Sequence, residues 1–145
     1  MDTRGNAARS APDPLNERGI RNTEPRRAIL EAARRRRGRF TANDMVGDLA
    51  GRGIGRATVF RTLDLLVELG VLERLHSDAH HAYTLCGTEH HHHLICVGCD
   101  TVEEIVSPAT ERLVQGIARD AGFEPQGHLL EIMGLCQACQ ATSRA

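Results

Sequence analysis

Aromatic residues are scarce in this sequence, with one Tyr, three Phe and no Trp among 145 residues. A chain of this length can form one medium domain or two small ones. Two small domains with so few large rings would each have a thin hydrophobic core. We therefore expect that a bound metal or a second copy of the chain contributes to stability.

Long apolar runs are also missing, since none approaches the roughly 20 residues that a helix needs to cross a bilayer. The N-terminal segment MDTRGNAARSAPDP has no hydrophobic stretch of the kind found in secretory signal peptides. The sequence therefore predicts a cytoplasmic protein with no membrane partner. In that reducing compartment the five cysteines indicate metal binding rather than disulfides, because four of them form two Cys-x-x-Cys pairs.

Lysine is absent, so all 18 strongly basic residues are arginines. Their distribution is uneven: residues 1–85 have 15 Arg against 11 acidic residues (+4), and residues 86–145 have 3 Arg against 8 (−5). A basic front half is typical of proteins that bind nucleic acid, and an acidic half rich in Cys and His is typical of metal binding. Basic charge alone is also compatible with a solvated surface.

The front half shows a pattern of three helices followed by a hairpin. Residues 1–15 contain prolines and small polar residues and are predicted to form a disordered lead. Thr23 and Thr41 are candidate N-caps of the first two helices, and a third helix is expected from Arg56 to Leu69, with Gly70 ending it. The β-prone segments VLERL and HAYTL, separated by the polar HSDAH, predict a hairpin.

This order of elements is that of a winged helix-turn-helix domain, which we assign to residues 16–86. Its third helix would enter the major groove of double-stranded DNA, and its hairpin would be the wing. A three-helix unit without a DNA role is the alternative, and the basic charge favours DNA binding. Residues 87–145 predict a small α/β dimerisation domain that needs a second copy to bury one face. The expected fold class is therefore α+β, and the expected assembly is a homodimer.

The two Cys-x-x-Cys pairs are the most specific local signal. Each pair places two thiolates on one turn, and two such pairs complete a tetrahedral four-sulfur site suited to zinc. With all four positions taken by sulfur the site has no open position for catalysis, so we interpret it as structural. A thioredoxin-like redox pair and an iron–sulfur cluster are the alternatives; neither pair is expected to open a helix after a strand as the redox motif does. The four ligands would be Cys96, Cys99, Cys136 and Cys139.

Four consecutive histidines, His90 to His93, precede the segment LIC, which is predicted to be a buried strand. Successive side chains of a strand point to opposite faces. His90 and His92 should therefore lie on one face, and His91 and His93 on the other. Plain surface histidine is the alternative, but four in a row are hard to explain by packing. The run is thus predicted to serve two metal sites.

On the face of His91 and His93, the nearest soft ligand is Cys86. The fourth ligand is expected from the wing, with Glu73 first and His76 or His81 as alternatives. A thiolate, two imidazoles and a carboxylate suit tetrahedral zinc, and this site would connect the two halves of the chain.

On the face of His90 and His92, the candidate partners are Glu111 in the following helix and His128 before the last strand. Three imidazoles and one carboxylate also suit zinc, and such nitrogen and oxygen ligands admit iron or manganese as well. The alternatives to Glu111 are Glu103 and Glu104.

Several motifs occur in one order along the chain: TEPRRAIL, GRATVFRTLDLLVELGVL, HHHHLICVGC with VEEI, and the terminal CQAC. With Glu111 and His128 they resemble the ferric uptake regulator superfamily from about Gly19 to Cys139, and its zinc uptake regulators most. The resemblance implies a homodimeric transcriptional repressor that binds a palindromic operator with zinc as corepressor. An iron- or manganese-responsive repressor of the same family is the alternative. No enzymatic activity and no small-molecule substrate are implied.

The resemblance also implies a set of ligands. Structural zinc falls on the four paired cysteines, a sensing site on Glu73, Cys86, His91 and His93, and an additional site on His90, His92, Glu111 and His128. Iron-type members commonly have His-His-Asp-His where this chain has four histidines. They also have a His before the second helix, where this chain has Arg39.

The predicted recognition helix contains TVFR where the family usually has TVYR. Phe60 keeps an aromatic ring for a thymine methyl group but has no hydroxyl, so we expect the operator to differ at the position that Tyr would read. Arg61 is the candidate for a base-edge or phosphate contact. Arg56 and Thr58 lie near the helix N-terminus, where backbone N–H groups also favour phosphate.

Two other classes of function are alternatives. A zinc hydrolase needs an open coordination position and a general base, and the sequence has no His-Glu-x-x-His motif. A metal buffer or chaperone would have no use for the segment GRATVFRTLDLL or for the basic front half.

Overall fold

The computed structural model describes residues 14–76, 81–87 and 89–143 of the chain. The predicted lead up to residue 13 and the hairpin turn at residues 77–80 lie outside these ranges. The front half forms α1 (Pro14–Glu17), α2 (Glu24–Arg35), α3 (Ala42–Asp48), α4 (Arg56–Glu68), β1 (Leu72–Arg74) and β2 (Tyr83–Leu85). Strands β1 and β2 pair antiparallel, with Glu73 opposite Thr84. The predicted order of three longer helices and a hairpin is confirmed.

The core of the front half is built from the apolar stripes of α2, α3 and α4. Ile29 of α2, Met45 of α3 and Leu63 of α4 are fully buried in one cluster. Val59, Leu63 and Leu66 recur at helical spacing along α4, and all three are buried. Burying each such side chain contributes roughly 1.5–3 kcal/mol. This packing fixes which face of α4 remains in solvent.

Helix α1 begins before the predicted domain boundary. The predicted lead extends to residue 15, whereas Pro14 and Leu15 lie in α1 and Leu15 is 0% exposed. Proline is tolerated in the first turn of a helix, and burying a leucine contributes roughly 2 kcal/mol. The folded front half therefore begins no later than Pro14.

Thr41 begins α3 with a capping box. Its Oγ1 accepts a hydrogen bond from the backbone N–H of Asp44 at 3.1 Å, and the Asp44 carboxylate accepts one from the backbone N–H of Thr41 at 2.7 Å. Two N–H groups without intrahelical partners are thus satisfied. The bond from the Thr41 backbone is also the main cause of the lowered pKa of Asp44. Thr23 occupies the N-cap position of α2 as predicted, but within the described residues its side chain makes no capping hydrogen bond.

The rear half is a three-stranded sheet with two helices. Its elements are β3 (His92–Cys96), β4 (Val102–Ile105), α5 (Pro108–Asp120), β5 (Glu131–Gly134) and α6 (Gln137–Ser143). Strand β3 is central, antiparallel to β4 and parallel to β5. A parallel pair needs a crossover connection, and α5 lies within it. The Ser107 Oγ caps α5 by accepting from the backbone N–H of Thr110 at 3.2 Å, as the Ser-Pro signal predicts.

Helix α6 contradicts one expectation. Strand β5 ends at Gly134 and α6 begins at Gln137, so the pair Cys136 and Cys139 does open a helix after a strand. The expectation was therefore wrong for this pair. The segment QACQATS contains neither proline nor glycine, the two residues that most disfavour a helix. The redox interpretation is not favoured, because all four paired cysteines lie together in one cluster.

Apolar side chains of the rear half are exposed on α5 and on both faces of β5. Within α5, Leu113 is 63% and Ile117 61% exposed, although the helix is amphipathic. Ile132 and Met133 of β5 are also about half exposed. An apolar surface of this kind marks an interaction site. Among the described residues, no helix has the length and apolar character to cross a membrane.

The capping box of α3 can be tested by Thr41→Ala, which removes the acceptor for the Asp44 N–H. We expect the free energy of unfolding to fall by about 1 kcal/mol, measured by urea titration of the metal-loaded protein. Thr58→Ala, the same substitution inside α4, should change it by less than about 0.5 kcal/mol. If the free energy of unfolding fell equally in Thr41→Ala and Thr58→Ala, the capping role of Thr41 would be contradicted.

Candidate metal centres and DNA-reading helix

The four paired cysteines form the first cluster, with their sulfur atoms all within 4.8 Å of one another. The parallel pairing of β3 with β5 is the cause, because it sets Cys96 opposite Gly134 and so brings Cys136 to the same edge of the sheet. Cys99 follows on the turn after β3, and its Sγ lies 3.7 Å from that of Cys136. Cys139 completes the cluster from the first turn of α6. The predicted four-sulfur arrangement is thus present.

Hydrogen bonds prepare two of these thiols for ionisation. The backbone N–H of Cys136 donates to the Cys96 Sγ at 3.3 Å and is the main cause that lowers the pKa of Cys96 to about 6. Thr101, whose Oγ1 lies 3.2 Å from the Cys99 Sγ, lowers the pKa of Cys99. The neighbouring thiols, Cys136 first, raise the pKa of Cys139 to about 12. Four adjacent thiolates require a cation, so the cluster fits a tetrahedral divalent metal such as zinc.

Gly98 is needed for the sulfur atoms to come this close. A Cβ atom at this position would lie 3.0 Å from the Cys139 Sγ and 3.2 Å from its Cβ. Both distances are shorter than ordinary van der Waals contact. The sequence VGC therefore places a glycine where α6 packs against the turn.

The second cluster joins the two halves of the chain. The ligand atoms of Glu73, Cys86, His91 and His93 lie within 4.8 Å of one another. The Glu73 Oε2 is 3.4 Å from the Cys86 Sγ and 3.2 Å from the His91 Nε2. The His93 Nε2 is 3.6 Å from the Cys86 Sγ. Glu73 comes from β1 and Cys86 follows β2, whereas the histidines belong to the β3 segment.

Of the three predicted candidates for the wing position, the structure places Glu73 in this cluster. His76 instead lies against Glu131, which accepts from its backbone N–H at 2.8 Å and lies 3.6 Å from its Nδ1. His81 lines a separate cleft with Phe60.

Burial keeps two donors of the second cluster, Cys86 and His93, uncharged. It raises the pKa of the Cys86 thiol well above its ordinary value, and the nearby carboxylate of Glu73 adds to this effect. Burial also lowers the pKa of His93, so its imidazole is neutral at pH 7, the form that ligates metals. The His91 Nδ1 lies 2.6 Å from the backbone oxygen of Glu89 and donates there, which leaves Nε2 directed at Glu73. Within the described residues the buried His91 Nε2 has no hydrogen-bond partner, as expected of a ligand atom.

The third cluster is centred on the Glu111 carboxylate, in the first turn of α5. One of its oxygens, Oε1, lies 3.1 Å from the His90 Nε2, 3.4 Å from the His92 Nε2 and 3.4 Å from the His128 Nε2. Both ring nitrogens of His92 are buried without a hydrogen-bond partner among the described residues, and burial lowers its pKa. Three imidazoles around a carboxylate fit a divalent cation. Glu104, one alternative to Glu111, instead accepts from the backbone N–H of Gly87 at 3.1 Å.

The histidine run is therefore divided between two clusters as the alternation predicts. His92 and His93 begin β3, and His90 and His91 directly precede it. A single cleft of about 570 Å³ nevertheless reaches both clusters, because His90 and His91 both line it.

The predicted DNA-reading residues lie together on α4, where Phe60 is 41% exposed and Arg61 is also exposed. The Arg56 guanidinium lies over the Phe60 ring, 5.7 Å from its centroid, and donates to the Asn43 Oδ1 at 2.9 Å. Thr58 is in the first turn, where its backbone N–H bonds Gly55. Sequence reasoning missed Asn43, because its position beside α4 follows from how α3 packs.

Residues 17–133 match the ferric uptake regulator family. The chain belongs to this family. It is 33% identical over 130 residues to the ferric uptake regulation protein of Legionella pneumophila, covering 87% of this chain and 96% of that protein. A solved zinc uptake regulator complexed with zinc and DNA matches with a TM-score of 0.78 at 26% identity, over 100% of both chains. The ferric uptake regulator from Francisella tularensis with iron matches with a TM-score of 0.68 at 32% identity, over 84% of this chain and 96% of that one.

As a member of the ferric uptake regulator family, the chain is a metal-responsive, DNA-binding transcription regulator and not an enzyme. The predicted family and the α+β fold class, with a winged helix and a small α/β domain, are confirmed. One similar structure is named for zinc and another for iron, so the choice of metal must be argued from this chain's own ligands.

The packing of Gly98 in this regulator predicts the effect of Gly98→Ala. The added Cβ should push α6 away from the turn and weaken zinc retention by the four cysteines by at least about tenfold, measured by competition with a chelator. Gly127→Ala is the matched control, because open space surrounds a Cβ at that position. If Gly98→Ala retained zinc as well as the unmodified protein, the close packing of Gly98 against Cys139 would not be needed for zinc binding, and the prediction would be wrong.

Proposed function

We propose that the protein is a zinc-responsive repressor that binds palindromic operator DNA as a homodimer in the cytoplasm, with zinc as corepressor. In this proposal residues 16–86 read DNA and residues 87–145 dimerise. Cys96, Cys99, Cys136 and Cys139 hold structural zinc, the second cluster is the sensing site and the third cluster is an additional metal site.

The observation that carries the choice of metal is Cys86 in the second cluster. Its sulfur lies within hydrogen-bonding distance of both Glu73 and His93, and the residue is 6% exposed. One thiolate, two imidazoles and one carboxylate form a compact mixed set that suits tetrahedral zinc, whereas iron and manganese favour harder nitrogen and oxygen ligands. When bound, zinc supplies the positive charge that lets the buried Cys86 thiol ionise.

The position of the second cluster supports its role as the sensor. Glu73 and Cys86 move with the wing, and His91 and His93 move with β3. When the four side chains share one ion, the winged helix is held at one angle to the dimerisation domain. Two recognition helices of a dimer then match the spacing of two half-sites. Because DNA favours this same arrangement, the operator must strengthen metal binding by the factor by which metal strengthens operator binding.

The exposed apolar side chains of α5 and β5 support the homodimer. Leu113 and Ile117 of α5 and Ile132 and Met133 of β5 are uncovered in one chain. A second copy would bury them by a symmetric contact. On the other half, the exposed Arg56 and Arg61 of α4 offer positive charge to a DNA backbone.

An iron- or manganese-responsive repressor is the second candidate, favoured by one observation. The third cluster contains only nitrogen and oxygen donors, from His90, His92, Glu111 and His128. If that cluster were the sensor, Cys86 would not contribute to the response. A metal buffer would use both clusters but would have no role for the exposed face of α4.

The first experiment measures operator affinity of the protein that contains only its four-cysteine zinc, with buffered free Zn²⁺, Fe²⁺ or Mn²⁺ added under anaerobic conditions. We expect zinc to restore binding at a free concentration at least about 100-fold below that of the other two. The affinity of most protein sites for divalent metals rises from Mn²⁺ through Fe²⁺ to Zn²⁺, whatever the sensor, so Cys86→Ser is measured in parallel. In Cys86→Ser, the difference between the free zinc concentration and the free iron or manganese concentration that restores operator binding should become smaller. A response led by iron or manganese, or an unchanged difference in the variant, would contradict the proposal.

The sensing site itself is tested by the double variant Cys86→Ala/His91→Ala. We expect it to lose zinc-dependent operator binding by at least about 100-fold, because two of four ligands are removed. The matched control is His90→Ala/His128→Ala, which removes two ligands of the third cluster and should retain a zinc response. If the first variant responds to zinc as the unmodified protein does, the assignment of the sensor is wrong.

A further inference from the structure

A second contact between the two halves lies away from the second cluster. The residues between α2 and α3 run beside the turn that follows β3. The Arg39 Nε and Nη2 both lie 2.7 Å from the Asp100 Oδ1, and the Arg39 backbone N–H donates to the Asp100 backbone oxygen at 3.0 Å. Gly38 and Thr101 form an antiparallel bridge alongside. The contact therefore combines an ion pair with main-chain pairing.

The geometry of this contact leaves no room for adjustment at Gly38. A Cβ there would lie 2.1 Å from the Asp100 backbone oxygen and 3.2 Å from the Thr101 Cα. Any other residue would therefore separate the two backbones. Asp100, which contacts Gly38, has a backbone φ of 60°, in the left-handed region.

Each side of the contact is fixed to one functional part. On the front side the next residue, Phe40, is buried in the helix core and exchanges backbone hydrogen bonds with Tyr83 of the wing at 2.9 and 2.7 Å. On the rear side Asp100 directly follows Cys99, and its N–H bonds the backbone oxygen of Cys96 at 3.0 Å. The turn that carries two of the four sulfur ligands thus reaches the DNA-reading half through Asp100 and Thr101.

We propose that Gly38, Arg39, Asp100 and Thr101 form a clamp through which the four-cysteine turn positions the winged helix. The inference rests on the proposed function in one respect, since it uses operator affinity as a readout. Arg39 is a positioning residue in this account and does not touch DNA. The orientation of the recognition helix is then set at two places, by the second cluster at the wing and by this clamp at the base of α3.

The clamp is first tested without DNA by hydrogen exchange of single amides. Asp100→Asn removes the charge of the ion-pair partner, and asparagine tolerates the positive φ at this position. We expect the Arg39 amide to exchange about threefold faster in Asp100→Asn, while the Phe40 amide, bonded to Tyr83 within the front half, keeps its rate. Equal acceleration of both amides would mean general loosening, and unchanged exchange at Arg39 would also overturn the clamp.

Operator affinity at saturating zinc then separates a clamp from a DNA contact. An exposed ion pair changes an equilibrium by about threefold, and a homodimer has two clamps, so Arg39→Ala and Asp100→Asn should each weaken operator binding by about tenfold. The double variant should be little worse than either single one. If Asp100→Asn bound the operator as well as or better than the unmodified protein while Arg39→Ala weakened it, Arg39 would be a DNA contact and the clamp would be refuted.

Two controls keep these outcomes apart. Arg37→Ala removes the same charge from a neighbouring exposed position and should weaken binding by no more than about threefold. Zinc bound to the four cysteines is counted in every variant, and its loss in Asp100→Asn would show that the contact serves only the sulfur site, which contradicts the proposal. If the unmodified protein showed no zinc-dependent operator binding, the proposed function would fail, and the amide exchange would still decide the clamp.

Discussion

Strand β3 is the element on which all three clusters depend, and its parallel pairing with β5 completes the first and the third. Strand β3 has histidines at one end and Cys96 at the other, so one strand of the sheet supplies donors to every cluster. Its pairing with β5 brings the second cysteine pair to Cys96, and the crossover helix α5 brings Glu111 to the histidines. A parallel pair requires a crossover connection between its two strands. The first and third donor sets are therefore products of the complete rear half rather than of short local motifs, and the second needs the wing as well.

Without a bound metal, the buried donors of the second and third clusters reduce the stability of the fold. Both ring nitrogens of His92 lack hydrogen-bond partners among the described residues, and the pKa values of His92 and His93 are lowered because burial disfavours their charged forms. Unsatisfied buried polar groups reduce stability, and a bound cation satisfies them at once. In the second cluster these same ligands also join the front half to the rear half.

The parts of the structure that could be predicted from the sequence depend on short-range rules. Thr41 and Ser107 follow from cap preferences, and the division of the histidine run follows from the two-residue period of a strand. The choice of Glu73 over two histidines followed from the family resemblance, and its place in the cluster follows from the register of the wing. Helix α1 was missed because a single buried leucine in a polar segment gives no periodic signal.

Two side-chain contacts between separate elements were not predicted, for a different reason. The pairing of Arg39 with Asp100 joins residues 61 positions apart, and the position of Asn43 beside Arg56 depends on how α3 packs against α4. Neither is encoded in spacing or composition. Helix α6 was missed because a Cys-x-x-Cys motif was interpreted as a turn throughout.

The repetition of one residue type from His90 to His93 has a consequence for changes in chain length. Deleting any one of the four codons gives the same protein, because the residues are identical. Strand β3 is fixed by its pairing downstream, so the three remaining histidines would occupy positions 91 to 93, and Glu89 would move to the place of His90. The second cluster would keep both of its histidines, and the third would exchange an imidazole for a carboxylate. Deleting one residue from a strand ordinarily exchanges the side chains on its two faces. Here the deletion would change the donors of the third cluster only, and the second cluster would keep the same donors.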